Sequence, residues 1–184
     1  MKIVQAPEPV LSQKAKPVEK IDKYIKNLLR DMEVTLDSAK DPEGVGLAAP
    51  QVGKSLQLFI LRQSPKAPLM SFINPEIISF TDAEPTDKEK EQEKKTGVQL
   101  EGCLSLYNVW GVVKRHSTVE VAYMDETGDK HTKTFDGFTA TIIQHEFDHL
   151  QGILFPKRVL EQKNPLYRSV RNKKGEIEFE EIEI

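Results

Sequence analysis

His145 and His149 stand four residues apart in QHEFDHLQG, residues 144–152, and Glu146 directly follows the first. Positions four apart on a helix share a face, so each imidazole can turn one nitrogen toward a common ion. Glu146 falls about 100° round from His145, at the edge of that face, within reach of a metal-bound water without being a ligand itself. This is the mechanical content of the H-E-x-x-H pattern. A solvated helix face would carry the same letters. Against that reading, Phe138, Ile142, Ile143, Phe147 and Leu150 make the helix apolar on several sides, so two histidines on it should face a cavity or the interior.

Two ligands do not complete a catalytic metal site, which usually has three protein donors and an open position. His116 and His131 lie in strand-like stretches with no companion pattern and read as surface or satisfied core histidines. Downstream, LQGILFPKRVLEQKNP offers no further histidine, and Glu161 is a weak third donor. Cys103 in QLEGCLSLY is the better candidate, because Gly102 beside it permits close backbone approach. A lone cysteine is otherwise most often a buried apolar residue.

These residues need elements to hold them. Val18, Ile21, Tyr24, Ile25, Leu28, Leu29 and Met32 recur at helical spacing, with Pro17 in the expected first turn. DPEGVGLAAPQVG, residues 41–53, reads as a shaped loop. LQLFILR (56–62), LMSFINP (69–75) and EIISF (76–80) read as short strands, and residues 119–135 as a hairpin turning at 125–129. The metal-binding helix should span 138–151, between Asp136 as N-cap and Gly152 as C′ residue. The tail GEIEFEEIEI reads as a last strand whose alternation slips at Glu180 and Glu181, which suggests a bulge or a frayed end.

With 184 residues and 38% apolar content the chain suits one domain with a real core. Residues 81–95 hold one apolar residue, Ala83, among mixed charges, and read as a charged, mobile insertion. A net charge of −3 gives no case for nucleic acid or an anionic membrane. No secretory signal and no apolar run near the roughly 20 residues of a membrane span is visible, so a cytoplasmic protein is expected.

Three stretches, GVGLAAPQVG (44–53), EGCLS (101–105) and QHEFDHLQG (144–152), resemble in sequence and order the three signature motifs of peptide deformylase. The resemblance covers most of residues 1–158. It implies an α+β fold, with mixed, mostly antiparallel sheets packed around the helix that carries the histidines, an N-terminal helix and a C-terminal strand. It implies a hydrolase that removes the formyl group from the N-terminal formylmethionine of new polypeptides, by attack of a metal-bound water. By carry-over Cys103, His145 and His149 bind one divalent metal, and Glu146 is the general acid/base. Gln51 and the backbone N–H of Leu104 polarise the formyl oxygen. Fe²⁺ is the ion the family favours, although one thiolate and two imidazoles also suit Zn²⁺, Ni²⁺ or Co²⁺.

Substrate would lie along Gly44, Val45 and Gly46 as an added strand. Its methionine would enter a pocket made by Val45, Phe138 and Ile142. Glu101 resembles a carboxylate that pairs with an arginine, and Arg115 stands where that partner is expected. The proline often found shortly after EGCLS is missing, and Trp110 falls near a position where some members carry a substrate-facing arginine. Formylmethionyl polypeptides are the expected partners, and a monomer the expected state. A transient approach to the ribosome stays open, but docking through the long basic C-terminal helix of some members is not expected, because that helix is lacking. A zinc endopeptidase, a peptide-binding module without activity and a purely structural metal site are the rival readings. Cys103, the complete set of catalytic residues and the presence of only three ligands stand against them in turn.

Overall fold

The computed structural model describes residues 1–40, 43–82, 100–172 and 174–183. The expected insertion at 81–95 lies outside the described residues apart from Thr81 and Asp82. Among the described residues the strands are β1 (Gly46–Ala48), β2 (Leu58–Leu61), β3 (Met70–Thr81), β4 (Glu101–Cys103), β5 (Leu106–Gly111), β6 (Thr118–Met124), β7 (Lys130–Asp136), β8 (Leu166–Arg171) and β9 (Ile177–Glu181). The helices are α1 (Lys23–Ser38), α2 (Gly137–Leu150) and α3 (Phe155–Glu161). One sheet has the order β1-β2-β3-β6-β7, and the other β4-β5-β8-β9. This is the expected α+β arrangement. Every ladder between these strands is antiparallel, and the one parallel pairing described is the isolated bridge Lys16–Leu56.

The first sheet is covered on both faces, which is why β2 is an unbroken apolar run and not an alternating one. Phe59 and Leu61 pack with Ile142, Ile143 and Leu150 of α2. Leu58 and Ile60 pack with Leu28, Leu29, Met32 and Leu36 of α1. The second sheet has a smaller core, in which Cys103 and Leu166 meet Phe155 and Val159 of α3. Helix α2 thus lies between the large sheet and the small one, and its apolar character on several sides follows. No described helix is long and apolar enough to cross a membrane.

Several boundaries differ from the sequence reading. Helix α1 begins at Lys23, not near Pro17. Asp22 caps it through Ile25 N–H, and Val18 N–H is instead taken by the Asn74 side chain at 2.7 Å. The two short strands expected at 69–80 are one strand, β3, with its register shifted between Ile73 and Glu76. Pro75 sits inside that irregularity, where no ladder N–H is required of it. Of the bulge or frayed end expected at Glu180 and Glu181, there is no bulge, and the strand ends at Glu181. β9 pairs with β8 without a break from Arg171–Ile177 to Tyr167–Glu181, and all five of its residues are exposed, so no buried face enforces alternation. Asp136 holds the N-cap position of α2 but makes no side-chain capping bond, whereas Gly152 follows the C-cap with φ +70°.

Candidate metal centre and active site

β4 brings Cys103 against α2, so that its Sγ lies 3.2 Å from His149 Nε2. One donor atom from each of Cys103, His145 and His149 falls within 4.8 Å of the others. Ligand bonds of about 2.0–2.3 Å in tetrahedral geometry need donors roughly 3.5 Å apart, so small adjustments suffice for one ion. Gln51 Nε2 and Ser105 N–H point at the same sulfur, at 3.5 and 3.4 Å. Gln51 cannot be turned round: its Oε1 accepts Ala48 N–H at 2.7 Å, which directs its NH₂ to the site.

The electrostatics suit a cation. Burial opposes a charge on His145, but hydrogen bonds and charges from Cys103 and Glu101 outweigh it and lift its pKa well above the ordinary histidine value. Burial and the neighbouring His145 push His149 well below that value, which leaves the neutral imidazole that a ligand must be. Glu101 accepts from His145 Nδ1 at 2.6 Å, which leaves His145 Nε2 for the centre. Although burial would raise it, Glu101 is drawn down to about 2 by His145 and Arg115. Among the described residues Glu146 Oε2 and His149 Nδ1 are buried with no hydrogen-bond partner. Burial of that carboxyl pushes Glu146 up to about 7. The donor set, the surplus of negative partners and the orphaned carboxylate oxygen together fit a bound divalent ion.

A line of paired charges supports the centre from behind. Arg115 donates to both oxygens of Glu101, at 3.1 and 2.7 Å, and to Asp148 at 2.7 Å. Arg158 of α3 grips Asp148 through two more bonds, at 3.1 and 2.7 Å. A buried carboxylate on an apolar helix requires such partners, so Asp148 was a signal available in the sequence that the metal pattern around it overshadowed. Arg158 had no comparable signal. His116 and His131 lie away from the centre and pair with Asp82 and Asp125.

A cavity of about 310 Å³ opens beside the centre. Gly44, Val45, Gly46, Gln51, Glu101, Leu104, Phe138, Ile142, His145 and Glu146 line it, as do Arg115 and Cys103. His149 alone of the sequence candidates lies behind that wall. Glu43, Leu100, Gly102, Val113, Thr141 and Trp110 complete the lining, and of these only Gly102 and Trp110 had been singled out. The two loop glycines make room for the protein itself. A Cβ on Gly46 would stand 2.3 Å from Glu146 Oε1, and one on Gly44 would stand 2.8 Å from Leu36 Cδ1. The flanking strands β1 and β4 are each the outer strand of their sheet, so the cavity lies between two open edges.

Residues 1–165 match the family model for polypeptide deformylase. A peptide deformylase of Pseudothermotoga lettingae is 40% identical over 149 residues, covering 80% of this chain and 76% of its own. Among solved structures, the peptide deformylase of Synechococcus elongatus in complex with actinonin is 37% identical with a TM-score of 0.73, covering 86% of this chain and 78% of its own. That of Thermotoga maritima is 34% identical with a TM-score of 0.69, covering 86% and 96%. The fold and site therefore belong to a metal-dependent hydrolase. The chain is a member of the peptide deformylase family.

Proposed function

We propose that the protein removes the formyl group from the N-terminal formylmethionine of new polypeptides, with Cys103, His145 and His149 holding one divalent ion, Fe²⁺ in the first instance. The observation that carries this is the meeting of those three donors beside the buried carboxyl of Glu146, whose Oε2 has no partner, at the wall of one cavity. Bound there, a divalent ion supplies Lewis acidity and brings the pKa of a coordinated water toward neutrality.

The chain's own groups do the rest. Glu146, poised near neutrality, takes a proton from the attacking water and returns it to the leaving amine. Gln51 Nε2, fixed through Ala48, and the N–H of Leu104 donate to the formyl oxygen as it gains charge. Glu101, held by Arg115, keeps His145 in one tautomer and one orientation. The free edge formed by Val45 and by Gly46 at the start of β1 pairs with the extended peptide. Val45, Phe138 and Ile142 receive the methionine side chain, which favours an apolar first residue.

The test is formate release from formyl-Met-Ala-Ser, with casein digestion as the counter-assay. Formate without casein cleavage supports the reading. Casein cleavage without formate would replace it with an endopeptidase.

A further inference from the structure

A second cavity, of about 380 Å³, lies beyond the first on the small sheet. Cys103 and Trp110 line both. The strand register explains how they join. Gly102 pairs with Trp110, and a Cβ on Gly102 would stand 2.6 Å from the indole ring, so the ring lies flat across β4 at the rim of the first cavity. Val109 pairs with Arg168, Ser169 with Phe179, and Arg171 with Ile177. Side chains alternate along a strand and paired residues share a face, so Trp110, Ser169, Arg171, Phe179 and Ile177 share one face, with Asn108 bonded to Ser169 beside them. Val159 of helix α3 packs on the other face against Leu166 of β8. On the shared face Phe179 stands edge-on to Trp110, with ring centres 5.8 Å apart. Phe179 is 46% exposed and Ile177 51% exposed.

We infer that this face is a distal substrate subsite, which takes apolar side chains of the polypeptide a few residues after the formylmethionine. The inference rests on the deformylase reading. Continuity decides the occupant: a peptide whose first residue fills the first cavity must leave it past some wall, and the Trp110 wall leads to a floor whose exposed apolar side chains are Phe179 and Ile177, with Ser169 and Arg171 of β8 beside them. β9 lies two strands from β5, roughly 10 Å, which an extended peptide crosses in about three residues. The fourth and fifth residues of the substrate therefore come to lie over Phe179 and Ile177. Contact there is made equally in the ground and transition states, so it lowers KM and leaves kcat alone.

The experiment compares formyl-Met-Ala-Ser, formyl-Met-Ala-Ser-Gly-Gly-Gly and formyl-Met-Ala-Ser-Leu-Phe-Gly on the wild-type holoenzyme and on the Phe179→Ser, Ile177→Ser double variant. The wild type should favour the Leu-Phe peptide over the glycine peptide by about fivefold or more in kcat/KM, through KM, as expected for partial burial of two apolar side chains. The double variant should lose that advantage while its kcat/KM for formyl-Met-Ala-Ser stays within about twofold, since surface changes away from the site have small effects. Should it fail to fold, Phe179→Ala alone should lose about half the advantage on the logarithmic scale, as additive independent contacts do.

No wild-type preference between the two hexapeptides, with all three deformylated, overturns the subsite and leaves the deformylase reading intact. So does a preference that survives the substitutions. A wild-type dimer in sedimentation that the double variant dissociates would give the face to a second copy and overturn the proposal. No formate from any peptide would remove the deformylase reading and the subsite with it.

Discussion

Glu146→Gln in the metal-free protein should raise stability, and by an amount that depends on pH in a defined way. The Glu146 carboxyl is buried, has an unpartnered Oε2 and titrates near 7 in the folded protein, against 4.5 ordinarily. The folded state thus holds its proton more tightly than the unfolded chain does. Below about pH 4.5 both states carry the neutral acid and the wild type has its full stability. Between about 4.5 and 7 the unfolded chain releases the proton first, and stability falls as pH rises. Above about 7 the cost is complete. The gap between 4.5 and about 7, at roughly 1.4 kcal/mol per pH unit, comes to roughly 3 kcal/mol.

Glutamine has the same shape and no charge to desolvate, so it escapes the cost. Urea unfolding of chelator-treated wild type and Glu146→Gln at intervals from pH 4 to 9 measures the difference. Titration of His145, His149 and Glu101 is common to both proteins and cancels to first order. The variant should match the wild type near pH 4 and exceed it by roughly 3 kcal/mol at pH 8, most of the change falling between pH 5 and 7. A difference that does not vary with pH would refute the argument, because it would mean that Glu146 is solvated or paired in the folded state.

The other expectations use the loaded enzyme. Gly46→Ala sets a Cβ 2.3 Å from Glu146 Oε1. It should displace the carboxyl and cost about 100-fold or more in kcat, the scale of general acid–base catalysis, while metal analysis shows the ion retained. Arg158→Met strips Asp148 of two bonds, and should lower unfolding stability by about 1–3 kcal/mol, as for other buried acceptors left short of partners. The change is read from the urea midpoint. Gln51→Leu should keep the metal and lose about 100- to 1,000-fold in kcat, as when one oxyanion donor is removed. Unchanged kcat would assign the formyl oxygen to other donors.

Much of the site was legible because its parts are local. The i, i+4 spacing of His145 and His149 fixes a shared helix face in any fold. A single cysteine beside Gly102 left few choices for a third donor. Glu101 and Arg115 are fourteen positions apart, and no periodicity links them; only the family resemblance joined them. What stayed hidden depended on tertiary pairing. β4 and β8 carry no clean alternation, because β4 is three residues long and ends at the proposed metal donor, and β8 mixes buried, half-buried and exposed residues without a period of two. Pro75 looked like a strand end, and only the ladder shows that β3 passes through it. Pro17 looked like a helix start, but Asn74, far away in sequence, claims the Val18 backbone. Substrate was expected to lie along the loop glycines, and the close approach of Leu36 and Glu146 gives a second reason for glycine there that no sequence pattern announced.

The central claim is that Cys103, His145 and His149 hold the ion and that Glu146 moves the proton without holding it. Anaerobic purification of wild type, Cys103→Ala and Glu146→Gln, with metal content and formate release measured on the same samples, tests it most directly. Wild type should carry about one ion per chain, as a site with three protein donors does, and be active. Cys103→Ala should lose both ion and activity, while Glu146→Gln keeps the ion and loses about 100-fold or more in kcat. Full metal and full activity in Cys103→Ala, or loss of the ion from Glu146→Gln, would contradict the assignment.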